Sequence, residues 1–181
     1  MELATPRLEY VLGPSDILVL LKLARIDDLP WTYDSVAHEL GMSNSAVHRS
    51  VERATESKLF NRNRREVERA SLEELLVHGV RYFFPPEWGG EARGLPTAWA
   101  APPLSEQITQ SDGNPPIWPL PGGKVQGIAL KPLDPRVPDA VLHDRPLHEL
   151  LALVDAIRIG AARERNLAAK ELGARLEDRA A

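Results

Sequence analysis

Apolar side chains in the first part of the chain recur at helical intervals, separated by short polar runs. Ile17, Leu18, Leu20, Leu21, Leu23 and Ala24 cover most of a helix's circumference, the pattern of a helix buried between others, with Ser15 placed to cap it. Asp27-Asp28-Leu29-Pro30 closes that segment. Thr32 is the expected N-cap of a second helix, with Trp31 and Val36 at the spacing of a hydrophobic staple. Gly41 supplies the left-handed turn that commonly ends a helix. Ser43 then caps a third helix, where Met42 and Val47 repeat the staple. Leu59-Phe60 and Glu66-Val67-Glu68 read as two short strands joined by a polar tip, and Ser71-Leu72-Glu73-Glu74 as a capping box opening a fourth helix with Leu72, Leu75, Leu76, Val80 and Phe83.

The pattern changes at Pro85. Residues 85–146 hold 13 of the 16 prolines, which makes regular helix improbable. Disorder is the default reading of such a stretch. Trp88, Trp99 and Trp118, with Val125, Ile128, Leu130 and Leu133 in a broken extended pattern, argue instead for an ordered, irregular segment that packs across another surface, with room for a short hairpin. From Leu147 to about Arg179 the helical period returns, and Leu147, Leu150, Leu151, Val154 and Ile157 share one face. A long helix cannot bury its stripe against itself and needs either the body of the protein or a second copy, and dimerisation or a partner contact is the expectation. The predicted fold is mainly α with a small β-wing. It has three parts: a winged helix-turn-helix at 1–84, a proline- and tryptophan-rich irregular segment at 85–146, and a long C-terminal helix at 147–181.

Composition narrows the function classes. The 181 residues are 43% apolar and 27% charged, too balanced for a disordered tail, and the longest apolar run, Ile17–Leu21, is far too short to cross a bilayer. Met1-Glu2-Leu3-Ala4-Thr5-Pro6 does not resemble a secretory leader, so a cytoplasmic protein without a membrane partner is expected. With no cysteine, disulfides, thiol nucleophiles and cysteine-bound zinc are excluded. The net charge of −4 disfavours indiscriminate nucleic-acid binding, but charge is segregated. Residues 44–69 carry seven basic and four acidic side chains, an excess of three that leaves −7 for the remainder.

That local excess coincides with a constellation. Val36, Ala37, Leu40, Met42, Val47 and Val51 are inward positions that lock two short helices at a steep angle. The outward face of the third helix is then Asn44, Ser45, His48, Arg49 and Glu52, the first four suited to base edges in a major groove. Ser43, Arg53 and Lys58, with the tip residues Arg62, Asn63, Arg64 and Arg65, are placed to hold the sugar-phosphate backbone or the minor groove. Residues 36–51, followed by Ser57-Lys58-Leu59-Phe60, resemble the helix-turn-helix and first wing strand of MarR-type transcriptional regulators. The resemblance covers about a third of the chain. It implies a homodimer on a near-palindromic operator, with the third helix in the major groove and the wing beside it.

Other chemistry is thin. His143-Asp144 and His148-Glu149 are separated by Pro146 and do not share a helix face, so no metal site is expected. His38-Glu39 lacks the second histidine of a zinc-hydrolase helix, that position being Met42. Trp88-Gly89-Gly90 and Pro121-Gly122-Gly123 lack the lysine and spacing of a phosphate loop, and no nucleophile is paired with a base. The expectation is no enzyme and no cofactor, but a dimeric regulator of double-stranded DNA, more simply a repressor acting by promoter occlusion. The alternative is an antitoxin-like or scaffold module whose middle segment and C-terminal helix bind a partner protein.

Overall fold

The computed structural model describes residues 11–108 and 113–178. Residues 1–6, read above for a leader, and residues 179–181, at the end of the terminal helix, lie outside that range. The chain is mixed α/β, predominantly helical with two small sheets.

Helix α1 (Pro14–Ile26) is buried from Asp16 to Ala24, as its all-round apolar pattern requires. Its N-cap is Gly13 rather than Ser15. Pro14 takes the first helical position, whose N–H has no intrahelical partner anyway, and the Asp16 carboxylate accepts the Gly13 N–H at 2.8 Å. Helix α2 (Tyr33–Leu40) starts at Thr32, whose hydroxyl accepts the Ser35 N–H, and ends at Gly41 with φ 62°. Helix α3 (Asn44–Glu56) starts at Ser43, whose hydroxyl accepts the Ala46 N–H. Strands β1 (Phe60–Asn61) and β2 (Glu66–Val67) form a two-stranded antiparallel hairpin. Its base is pinned to the end of α1: Asp27 accepts the Val67 N–H and pairs with the Arg69 guanidinium at 2.6 Å.

Helix α4 (Arg69–His78) begins two residues before the expected capping box, with Glu68 at the N-cap position. It does not run on to Phe83. The chain breaks at Gly79 and resumes as the single turn α5 (Val80–Phe83), which buries Val80 but leaves Phe83 exposed.

The middle segment is more regular than its prolines suggest. Strands β3 (Trp88–Pro96), β4 (Pro116–Pro119) and β5 (Val125–Leu130) close on one another, β3 antiparallel to both and β4 parallel to β5. So tight a closure needs backbones in contact. A Cβ at Gly94 would strike the Trp118 carbonyl, and one at Gly127 the Pro115 carbonyl. Short α6 (Val137–Ala140) leads into α7 (Arg145–Ile159), capped by Asp144, and then α8 (Ala162–Glu177).

The single long C-terminal helix is therefore two, broken at Gly160. The Glu149–Arg175 ion pair, joining the start of α7 to the end of α8, shows that they run antiparallel. The expected partner stripe is interior: Leu147, Leu150, Leu151, Val154 and Ile157 are all at most 2% exposed. The stripe is covered by the chain's own α1, α4, α5 and α8 and the turn after β3, so these five residues offer no surface to a second molecule. One hydrophobic cluster runs from Ile17 to Leu176 without a break at 84/85 or 146/147. Asp155 of α7 ties the middle segment down. Fully buried, it accepts hydrogen bonds from the Thr97 hydroxyl (2.8 Å), the Trp118 indole (2.7 Å) and Arg158 (2.6 Å). Arg158 also donates to the carbonyls of Phe84 and Pro85, fixing the exit from α5. Among the described residues, no helix is long and apolar enough to cross a membrane.

Candidate nucleic-acid interface

Val47, Ser50, Val51 and Ala54 of α3 face the core, which turns Ser45, His48, Arg49 and Glu52 to solvent. Arg49 and the tip residues Arg62 and Asn63 are exposed and have no partner among the described residues. His48 is held: its ring stacks on Tyr33 with centroids 3.5 Å apart and planes 16° from parallel. Tyr33 packs edge-on against Trp31, and the Arg65 guanidinium lies 4.2 Å above the Trp31 ring while donating to the Trp31 carbonyl at 3.2 Å. A continuous ladder, Arg65–Trp31–Tyr33–His48, thus joins the hairpin to the exposed face of α3. Flat rings and a guanidinium stack well because the cation sits on the negative face of the indole.

Other expected contact residues are committed to the fold. Ser43 spends its acceptor on the α3 cap and lies 3.2 Å from the Ser45 hydroxyl. Asn44 donates its amide to Asp34 at 2.5 Å. Arg64 pairs with Glu68 at 2.7 Å and with Glu66 at 3.4 Å, and the Asn61 side chain accepts its backbone N–H. Arg53 is the clearest correction. Its guanidinium grips the fully buried Asp16 of α1 through two bonds, 2.8 and 2.6 Å, which turns it inward and away from any backbone in the solvent. Sequence distance hid this pair, since 37 residues separate its members.

These pairings alter the electrostatics. Arg53 and Arg69 are neutralised by Asp16 and Asp27, both outside the basic stretch, so five of its seven cations remain against four carboxylates. The local excess falls from three to one. What persists is concentrated: Lys58, Arg62 and Arg65 stand at or beside the hairpin, with Arg49 on α3.

Two of these cations occupy costly backbone. Lys58 (φ 58°) and Arg65 (φ 56°) are left-handed, a region that favours glycine or asparagine. Around Lys58 the Leu59 N–H bonds the Ala54 carbonyl and the Lys58 N–H the Thr55 carbonyl, a Schellman ending in which glycine is the usual occupant. A strained position that keeps a long cation is a pointer to function. Sequence reading found the cations but missed Tyr33 and the ladder. Trp31 and Tyr33 flank the Thr32 cap, and this pair of rings is the one sequence signal for the ladder.

Of the residues weighed above for a metal site, three have structural partners. His148 hydrogen-bonds the Pro96 carbonyl at 2.8 Å, Asp144 pairs with Lys22, and Glu149 bridges Arg145 and Arg175. Comparison with protein-family models, curated proteins and solved structures returned no match to this chain.

Proposed function

We propose that residues 14–83 form a winged helix-turn-helix, of the kind the MarR-type resemblance suggests, that binds double-stranded DNA, and that the protein is a dimeric transcriptional repressor acting by promoter occlusion. The observation that carries this reading is the rigid ladder from Arg65 to His48, which sets the hairpin and the open face of α3 as one surface. Preorganised rings lose little entropy when a groove closes on them, so the surface suits a stiff, repetitive polyanion. Ser45, His48 and Arg49 carry base discrimination; Lys58, Arg62 and Arg65 carry affinity. Arg62 replaces Arg64 as the principal wing contact, because Arg64 is held by Glu66 and Glu68.

The test is selection from random duplexes with the purified chain, followed by titration across salt. Wild type is expected to enrich a near-palindromic motif. R49A should lose about 1–3 kcal/mol of discrimination at one base pair. R62A should weaken all sequences alike and lower the salt slope by about one. Failure to bind any duplex at low ionic strength overturns the reading. Equal effects of both variants on specific and random DNA overturn the division of labour.

A further inference from the structure

Between the end of α3, the hairpin and the start of α4 lies a cavity of about 610 Å³ whose walls include Thr55, Lys58, Arg62, Asn63, Glu68 and Ser71. Lys58 and Arg62 are exposed and have no partner among the described residues. Glu68 is the one carboxylate on these walls, and its Oε1 already accepts from the Arg64 guanidinium at 2.7 Å and the Asn61 amide at 3.1 Å. The cavity therefore presents two cations that no carboxylate contacts.

Other hydroxyls of this part of the chain are engaged. Thr32 and Ser35 cap each other, Ser43 and Ser45 lie 3.2 Å apart, and Thr55 donates to the Val51 carbonyl at 2.7 Å. Ser71, on the first turn of α4, is exposed and its hydroxyl has no partner among the described residues.

We propose that Ser71 is a phosphorylation site, and that its phosphoryl group, seated between Lys58 and Arg62, releases the protein from DNA. Regulation rests on the DNA-binding reading; the phosphate seat does not. Phosphoserine carries a charge of about −1.5 to −2 and three acceptor oxygens. An ammonium and a guanidinium facing them match that charge and supply the charge-assisted hydrogen bonds that ionised pairs form. These are two of the three cations to which affinity for DNA is assigned, so a phosphate held there occupies them and repels the phosphates of a duplex. The excess of one positive charge over residues 44–69 becomes, with about −2 added beside it, a deficit of about one.

The step is a phosphoryl transfer from a nucleoside triphosphate, carried out by a protein kinase. The bond from Ser71 Oγ to the γ-phosphorus forms as the bond to the leaving nucleoside diphosphate breaks, and the hydroxyl proton passes to the kinase's base. Nothing is oxidised or reduced.

The experiment uses the full chain with phosphoserine incorporated at position 71 during translation, read by phosphorus NMR and by DNA titration. The second ionisation of the phosphoserine is expected below its free value of about 6, by about half a unit or more. The same phosphoserine in a K58G/R62A background should move back towards the free value. Binding to the selected duplex should weaken by on the order of a hundredfold at low ionic strength, and the salt slope should fall by about two. A melting temperature at or above that of the unmodified chain is expected, so that lost binding is not lost folding. Peptide mass mapping of the chain isolated from its own cells should find phosphate on Ser71. An ionisation like that of free phosphoserine overturns the proposal, as does undiminished duplex binding by the phosphorylated chain. Ser71 free of phosphate in both growing and starved cells also overturns it. A lowered ionisation in a chain that binds no duplex even when unmodified would sink the DNA reading and leave the seat standing.

Discussion

Lys58 shows two demands competing at one residue. Its left-handed backbone costs about 1 kcal/mol relative to glycine, while its side chain supplies one of the few unpaired cations beside the hairpin. K58G is expected to stabilise the fold by about 1 kcal/mol, a rise of roughly 2–4 °C in melting temperature for a chain of this size. The same change should lower the salt slope of DNA binding by about one. Calorimetry and salt titration on one preparation check both halves, and loss of stability in K58G would refute the conformational argument. His48 differs in kind. It is held by contact rather than by backbone, so Y33A should free the imidazole and weaken binding to the selected duplex more than to random DNA.

Helices α1 and α3 meet through Asp16 and Arg53, and here a residue expected to touch DNA serves the element instead. Arg53→Ala leaves a carboxylate with no exposed surface and without its guanidinium partner. Breaking such a buried pair from one side costs about 3–5 kcal/mol. R53A is therefore expected to melt well below wild type, while the folded fraction keeps its DNA affinity and salt slope. Chemical denaturation with a parallel binding titration decides the matter. An unchanged stability with a reduced salt slope would return Arg53 to the DNA face. Helix α7 makes the same point with apolar residues, since its stripe of Leu147, Leu150, Leu151, Val154 and Ile157 is satisfied within the chain.

Across the molecule, an ion pair joins α7 to α8, and a hydrogen bond from Gln107 joins α8 to the middle segment. Burial pushes the Glu149 carboxyl up, but the hydrogen bonds and charges of Arg175 and Arg145 outweigh it and hold the group below the usual carboxylate range. The Gln107 amide, aided by Arg175, draws Glu171 down against burial. With folded pKa values below the unfolded ones, both groups stabilise the fold above about pH 4.3, and that contribution disappears as pH falls through the lowered values. Melting temperature should fall steeply on acidification below that point, and E149Q should flatten the fall while lowering stability at neutral pH. A wild-type curve flat down to pH 3 or so would contradict the linkage.

Local chemistry made the first part of the chain legible. Thr32, Gly41 and Ser43 act through backbone groups a few residues away, and the inward set of α2 and α3 follows from helical period alone, so caps, turn and open face could be read from residue order. Only tertiary structure decided what Arg53 and Arg65 do, because their partners Asp16 and Trp31 are distant in sequence and brought to them by folding. It also decided the fate of the proline-rich middle. Prolines forbid helix but say nothing of strand closure, which depends on Gly94 and Gly127 meeting carbonyls of β4 and the residue before it. Periodicity shows that a helix has an apolar stripe, and it is blind to whether the covering surface is the same chain or another. For α7 the answer was the same chain, and the unsatisfied surface appeared instead at Phe83, where Gly79 interrupts the helix and a residue expected to pack inward is left in solvent.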